Sequence, residues 1–500
     1  MNTLLTAPIN NYNYNQKSFR KVLSFTFILL IIAHGAYNTL VPFFILNVFT
    51  LIIISFLIYV KFISKGKVFE TLLIIYICSH FYILDKWGGL FVLTSFLVLG
   101  LYFSKFKMKI KKDTTINFLI GIFILTNLFG WIFKNKVEYS LFLLGIFSFI
   151  AYLMVFYVSK SIRFGPLQIA SFIKAIIFVL LYELIVSLNT YFGLIKTELT
   201  HLFPTNEMRF GLRYMTGTFG HSELYGEYSL LMFLFLLPFS FSNEAEKIFG
   251  VKRLYLLLGL VAAIINISLS ASRSAFGLLF LGTILFILIS KSKIKLKNYF
   301  IYGTFIFFIL FLLWKPLKLG FIIERFVDPK QAAPLIIDND FNIITGEGTA
   351  RELAFSYFWK RFPEENWIIG YGFGVPKSNR IAWFKDPETP RADYHSLYLS
   401  LIMLYGYIGS IVYILIILVT IIRLYRLLKA KHTQVPYRLA ATAFFLVLVF
   451  LLINEYKVSL LRMPHYHLLT WLWLGFSNAL YYINKNNYNE NNMVSTISYK

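Results

Sequence analysis

The stretch Ser396-LYLSLIMLYGYIGSIVYILIILVTI-Ile422 runs for 27 residues without one charged side chain. An α-helix rises about 1.5 Å per residue, so this run spans about 40 Å, more than the roughly 30 Å of a bilayer's hydrocarbon. A helix apolar on every face is either the heart of a large core or is surrounded by lipid. Composition decides between the two. Of 500 residues 58% are hydrophobic and 14% charged, Phe alone contributes 54, and mean hydropathy is +0.67. A soluble protein carries about 25% charge. No globular interior hides so much apolar surface, so lipid is the solvent for most of the chain. The expectation is an all-α, polytopic transmembrane helical bundle.

Working outward, apolar runs stand near 22–36, 41–60, 68–84, 88–103, 116–133, 139–158, 171–192, 224–241, 254–270, 274–290, 299–314, 396–422, 439–453 and 468–483. They predict about 12–14 spans. The first run has a signal-like basic flank (Lys17, Arg20, Lys21) but no small-residue cleavage site, and it reads as a span. A single cysteine, Cys78, excludes a disulfide framework and a thiolate metal cluster.

The formal charge of +24 would suggest nucleic acid in a soluble protein, but no nucleic-acid partner is expected here. With the N-terminus inside, the cytoplasmic segments hold 27 Lys and Arg and the outer ones 20, of which 11 fall in the single loop 315–394. Long loops are exempt from the positive-inside rule, which leaves nine outside against 27 and puts both termini in the cytoplasm. The layout is then a cytoplasmic tail (1–21), N-terminal transmembrane helices (22–192) and a medium outer loop (193–223). Central transmembrane helices (224–314) follow, then a large outer loop with short helices (315–394), C-terminal transmembrane helices (395–483) and a cytoplasmic tail (484–500). The Asn-rich ends read as disordered by composition.

The cations that topology does not explain lie on the outer side. Arg209 and Arg213 sit in Met208-RFGLRYMTGTFG-His221, Arg273 in Ser270-ASRSAF-Gly277, and Arg351 in Gly348-TAR-Glu352. Positive charge is disfavoured in short outer turns, so Arg273 carries a cost that something should offset. Arg grips phosphate bidentately, and outer arginines beside lipid suggest a phosphate-bearing lipid. The plainer alternative is unselective headgroup contact. Thr349 and Glu352 have capping-box spacing, which predicts a helix ending before Pro363 with Arg351 in its first turn. Gly370-YGF-Gly374 reads as a tight turn and not a dinucleotide fingerprint, because Val375-Pro376 follows where a helix should begin. His395, at the mouth of the next span, suits a general base acting on a sugar hydroxyl, and His221 is its rival. Glu183 and Glu227 fall within spans, where a carboxylate is expensive and reads as functional unless it pairs with Lys174 or another helix.

Taken in order, Arg213-YMTGTFGHSELYGE-Tyr228, Ser272-Arg273-Ser274, Arg351 through Pro363 to the Gly370–Gly374 turn, and His395-SLY-Leu399 leading to Tyr405-GYI-Gly409 form a familiar series. Over roughly residues 200–425 the chain resembles the O-antigen ligase/polymerase superfamily of bacterial inner-membrane glycosyltransferases. That resemblance implies metal-independent transfer of glycan from an undecaprenyl-diphosphate-linked oligosaccharide to an acceptor sugar hydroxyl on the periplasmic side, with no metal and no cofactor. The acceptor glycan is a lipid-linked repeat unit or the lipid A core. Membrane lipid and a chain-length regulator or other assembly-pathway proteins are the implied partners.

By the same resemblance Arg213 and Arg273, with Arg351, neutralise the diphosphate, and His395 activates the acceptor. Arg209, Arg361, His221, Glu223, Gly220 and Gly372 complete the implied binding set. Polymerases of this kind carry Arg, ten residues, then Gly in both large outer loops; here Arg209 stands so to Gly220 and Arg361 to Gly372. The family commonly has Pro-Asn where Ser222-Glu223 stand, and Asn at Ser396, so the acceptor contacts depart from its pattern. A repeat-unit polymerase for O-antigen or capsule is the leading expectation. An O-antigen ligase or protein O-oligosaccharyltransferase is the sister reading, and a lipid-linked oligosaccharide flippase is the reading from another class. A transporter should show paired halves and charges deep in its spans, whereas this chain gathers its informative arginines on one face.

Overall fold

Lipid offers no hydrogen bonds to a backbone, so each apolar run must satisfy its own amides and becomes a helix. The computed structural model describes residues 113–134, 139–161, 164–192, 206–209, 212–217, 219, 221–242, 244–290, 336–337, 343–345, 368–373, 396–430, 433–456 and 464–497. Within them the helices are α1 (Thr114–Lys134), α2 (Tyr139–Ser161), α3 (Pro166–Phe192), α4 (Ser222–Phe241), the short α5 (Ala245–Phe249), α6 (Arg253–Ser270), α7 (Arg273–Ile289), α8 (Leu397–Lys429), α9 (Val435–Asn454) and α10 (Pro464–Ile497). Two small antiparallel pairs, β1 (Asn206–Arg209) with β2 (Leu212–Met215) and β3 (Ile336–Ile337) with β4 (Ile343–Thr345), complete the described elements. Six of these helices are long and apolar enough to cross a membrane, and the chain is an all-α polytopic bundle. The runs expected before residue 113 and at 299–314 lie outside the described residues, as does the helix expected after Thr349.

Helix α4 is the axis. Its apolar stretch is wholly buried, against one third of α1's, and α3, α6, α7 and α9 pack around it. Large apolar side chains on the outer helices point the other way: Phe118, Phe280 and Leu288 are each about two-thirds exposed (66%, 65% and 68%), the surface that lipid requires.

At one end of the bundle, three segments that the charge count assigns to the same side meet. Asp113 caps α1, accepting the Ile116 N–H at 3.2 Å. The same carboxylate accepts two bonds from the Arg423 guanidinium of α8, at 2.6 and 2.9 Å, and one from Lys160 Nζ of α2 at 3.1 Å. Arg423 also donates to Asn478 Oδ1 of α10, and Asn478 in turn donates to Thr420 Oγ1. Burial works to raise the Asp113 pKa, but the Arg423 hydrogen bond, the Lys160 and Arg423 charges and the Ile116 N–H outweigh it. The carboxyl is held well below the usual carboxylate range.

Two expectations are revised. The run 396–422 is not one straight span, since the helix is broken at Gly406 (φ 67°, ψ −178°), a conformation open only to glycine, and it continues to Lys429. The turn at Ile368–Phe373 lies in the break. Gly372 N–H donates to Leu404 C=O at 3.1 Å and Ile408 N–H to Ile368 C=O at 3.3 Å, so a loop segment satisfies the backbone groups that the break frees. The approach is close enough that a Cβ on Gly370 or Gly406 would strike the other's backbone. Second, α10 runs through the Asn-rich tail to Ile497. Its buried first half, with Trp471 and Trp473, already supplies the nucleus, and extending a formed helix costs far less than starting one.

Candidate functional site

The other end of the bundle gathers several of the residues expected from the sequence. Helix α6 stops because Ala271 turns left-handed (φ 50°), the sole non-glycine with positive φ among the described residues. For an alanine that conformation costs about 1 kcal/mol, and such strain is typical of functional turns. Ser270 Oγ accepts the Ser272 N–H at 3.2 Å, and Ser272 Oγ accepts the Ala275 N–H at 3.3 Å, so two serines close one helix and open the next within three residues. Arg273 is the first residue of α7 and is exposed.

Beside this turn stands the first part of α4. Glu227 is fully buried, and its Oε1 accepts from Ser272 Oγ at 3.2 Å and from Ser274 Oγ at 2.5 Å, the residues on either side of Arg273. Gly226 permits the approach, because a Cβ there would collide with Ser270 and Ser272. Both α4 and α7 begin at this end, so two positive helix termini open beside one exposed guanidinium. His221 occupies the N-cap of α4, partly buried and without a capping bond from its side chain, and Glu223 lies in the first turn.

The loop before α4 is anchored to the bundle. The β1–β2 register pairs Met208 with Arg213 and Arg209 with Leu212, which puts positions 209 and 213 on opposite faces of the ribbon. Tyr214, Met215 and Thr216 are buried. Gly217 (φ 53°) then lies against the Glu183 carboxylate and the Tyr225 ring, where no Cβ fits. Ser187 Oγ donates to Tyr225 Oη at 2.8 Å, and Tyr225 Oη donates to Glu183 C=O at 3.4 Å. Phe219 packs on Tyr225, Tyr228 and Tyr466, and Tyr466 Oη donates to Leu224 C=O at 2.9 Å. Glu183 and Lys174 stand nine residues apart on one helix, about 13 Å along its axis and half a revolution around it, a spacing that does not favour a pair between them.

The start of α8 is held at this end as well. Leu397 N–H donates to Glu455 C=O at 2.9 Å, and Tyr398 Oη donates to Leu452 C=O at 2.7 Å. Ser396 is buried at its N-cap. His395, Arg351, Arg361 and Gly220 lie outside the described residues. Thus, of the expected set, Arg273, His221 and Glu223 share the α4–α7 end, and Arg209 and Arg213 fall on the hairpin that leads into it. Gly372 has a packing task in the break of α8, where a Cβ would strike Asn127 of α1. The Glu227 clasp was only half visible in sequence. The acid stood out, but the serines that it holds belong to a turn 45 and 47 residues away. Among the described residues no group of three His, Cys, Asp or Glu is gathered as a metal ion would require. No family model matches the chain, and no curated protein matches it.

Proposed function

We propose that the chain is a membrane glycosyltransferase that polymerises polysaccharide repeat units, taking glycan from an undecaprenyl-diphosphate donor on the non-cytoplasmic face. The observation that carries the reading is Arg273, an exposed guanidinium at the N-terminus of α7, set beside the N-terminus of α4 at one end of an apolar bundle. A diphosphate on a lipid tail is the ligand such a place suits. The tail stays in hydrocarbon, the charge meets Arg and two helix termini, and the sugar extends into water.

In the transfer, the acceptor hydroxyl oxygen forms a bond to the anomeric carbon of the donor. The bond from that carbon to the diphosphate oxygen breaks, and undecaprenyl diphosphate leaves with the electron pair. The hydroxyl proton passes to the imidazole of His395, which stands one residue before the N-cap of α8. Arg273, with Arg213 and Arg351 from the flanking loops, stabilises the charge that gathers on the leaving group.

Deleting the gene and analysing surface glycan and lipid-linked intermediates tests the reading. Loss of a polymerase leaves single repeat units on the lipid A core. Long glycan stranded on undecaprenyl diphosphate would instead assign a ligase, and single units held on the cytoplasmic side would assign a flippase.

A further inference from the structure

We infer that Glu227 is a positioning residue whose task is to fix the Ser272-Arg273-Ser274 turn, so that Arg273 faces an anionic lipid headgroup in one orientation. This rests on the reading above and deepens it. Glu227 is 0% exposed and Ser272 3%, Ser274 is half-buried, and Arg273 between them is exposed. A carboxylate wholly inside a bundle is costly and persists where it makes bonds that nothing else supplies. Glu227 spends one oxygen on both hydroxyls that bracket Arg273. Both hydroxyls donate to Oε1, and Ser272 Oγ in turn receives the Ala275 N–H at the start of α7. The clasp therefore joins three things: the axis helix α4, the cap of α7, and the strained Ala271 turn. Arg273 is the most exposed member of the triplet.

Acceptor geometry performs this task, and charge is secondary. Gln keeps an oxygen at the Oε1 position and Ala does not, so the two substitutions separate the roles. The test uses the full chain in nanodiscs. The first readout is hydrogen exchange across residues 272–276, which reports on the turn that the clasp fixes and needs no ligand. The second is retention of undecaprenyl diphosphate over undecaprenyl monophosphate.

Glu227→Ala should raise exchange at 272–276 and weaken diphosphate retention about tenfold, which corresponds to ~1.4 kcal/mol. Glu227→Gln should stay within about threefold of the native chain, the smaller loss reflecting a weaker neutral hydrogen bond. In an Arg273→Ala background Glu227→Ala should cost no further affinity, because it acts through Arg273. Unchanged exchange in Glu227→Ala overturns the clasp. So does an equal loss with and without Arg273, or a Gln variant as poor as the Ala variant. If exchange rises as stated but the native chain does not prefer the diphosphate, the clasp stands and the glycan-transfer reading falls.

Discussion

Replacing Asp113 by Asn is the sharpest perturbation of the bundle itself. Asn is as good an N-cap as Asp, so the bond from the Ile116 N–H at 3.2 Å survives, and α1 keeps its start. What disappears is the negative charge between Lys160 and Arg423, whose side chains contact it with only 1% and 11% of their surface exposed. Breaking a buried ion pair from one side costs about 3–5 kcal/mol, because the remaining charge stays desolvated. Here two cations are left facing one another. Lys160→Met removes one cation and leaves the bidentate Arg423 contact whole, so it should cost about 1.5–3 kcal/mol, the worth of one charged hydrogen bond. Combining the two should cost less than their sum, since the second change removes a charge that the first had stranded. Denaturation in detergent micelles, followed by tryptophan fluorescence, measures this. Trp471 of α10 packs edge-on against Phe149 and Phe156 of α2 and reports on a joint the network closes. An Asp113→Asn loss below about 1 kcal/mol would refute the reasoning. A Lys160→Met loss as large as that of Asp113→Asn would do so equally.

Gly406→Ala should destabilise by about 3 kcal/mol or more in the same assay, combining a glycine-only backbone with a Cβ driven into the Ile368–Gly370 segment. A mild effect would show that the break in α8 is not needed. Stability should also fall on acidification. The Asp113 pKa is depressed in the folded protein, so its contribution is present above the unfolded value of about 3.9 and is lost as pH drops toward the lower folded value. Asp113→Asn should flatten that acid limb. Tyr466→Phe removes the hydroxyl bonded to Leu224 C=O and should cost about 1 kcal/mol while leaving transfer intact, measured by melting and by glycan length.

Helix positions were legible because lipid imposes the simplest code, that an apolar run must be a helix, although some ends moved: the run 171–192 starts at Pro166 and the run 468–483 continues to Ile497. The runs 254–270 and 274–290 became Arg253–Ser270 and Arg273–Ile289, each within a residue of its expected ends. Hydropathy says nothing of φ, however, so the break at Gly406 inside an uncharged run was invisible, although Tyr405-Gly-Tyr407 marked the place. The β1–β2 hairpin was also missed. Its two-residue Phe210-Gly211 connection, between short segments of mixed polarity, was the available sign. The ion network joins positions 310 residues apart, a separation over which local patterns carry no signal. At the candidate site the positive-inside rule singled out Arg273 because it broke the rule. Glu227, which bonds the serines on either side of it, became evident only from the packing of α4 against α7.

The claim that an outer arginine set serves a lipid diphosphate is tested most directly by transfer in a defined membrane. The purified full chain in liposomes, supplied with undecaprenyl-diphosphate-linked repeat units, should release undecaprenyl diphosphate and build glycan ladders. Arg273→Ala and His395→Ala should each stop both products while the protein remains folded in the bilayer. Ladders of native length from either variant, or none from the native chain with donor and acceptor present, would contradict the account.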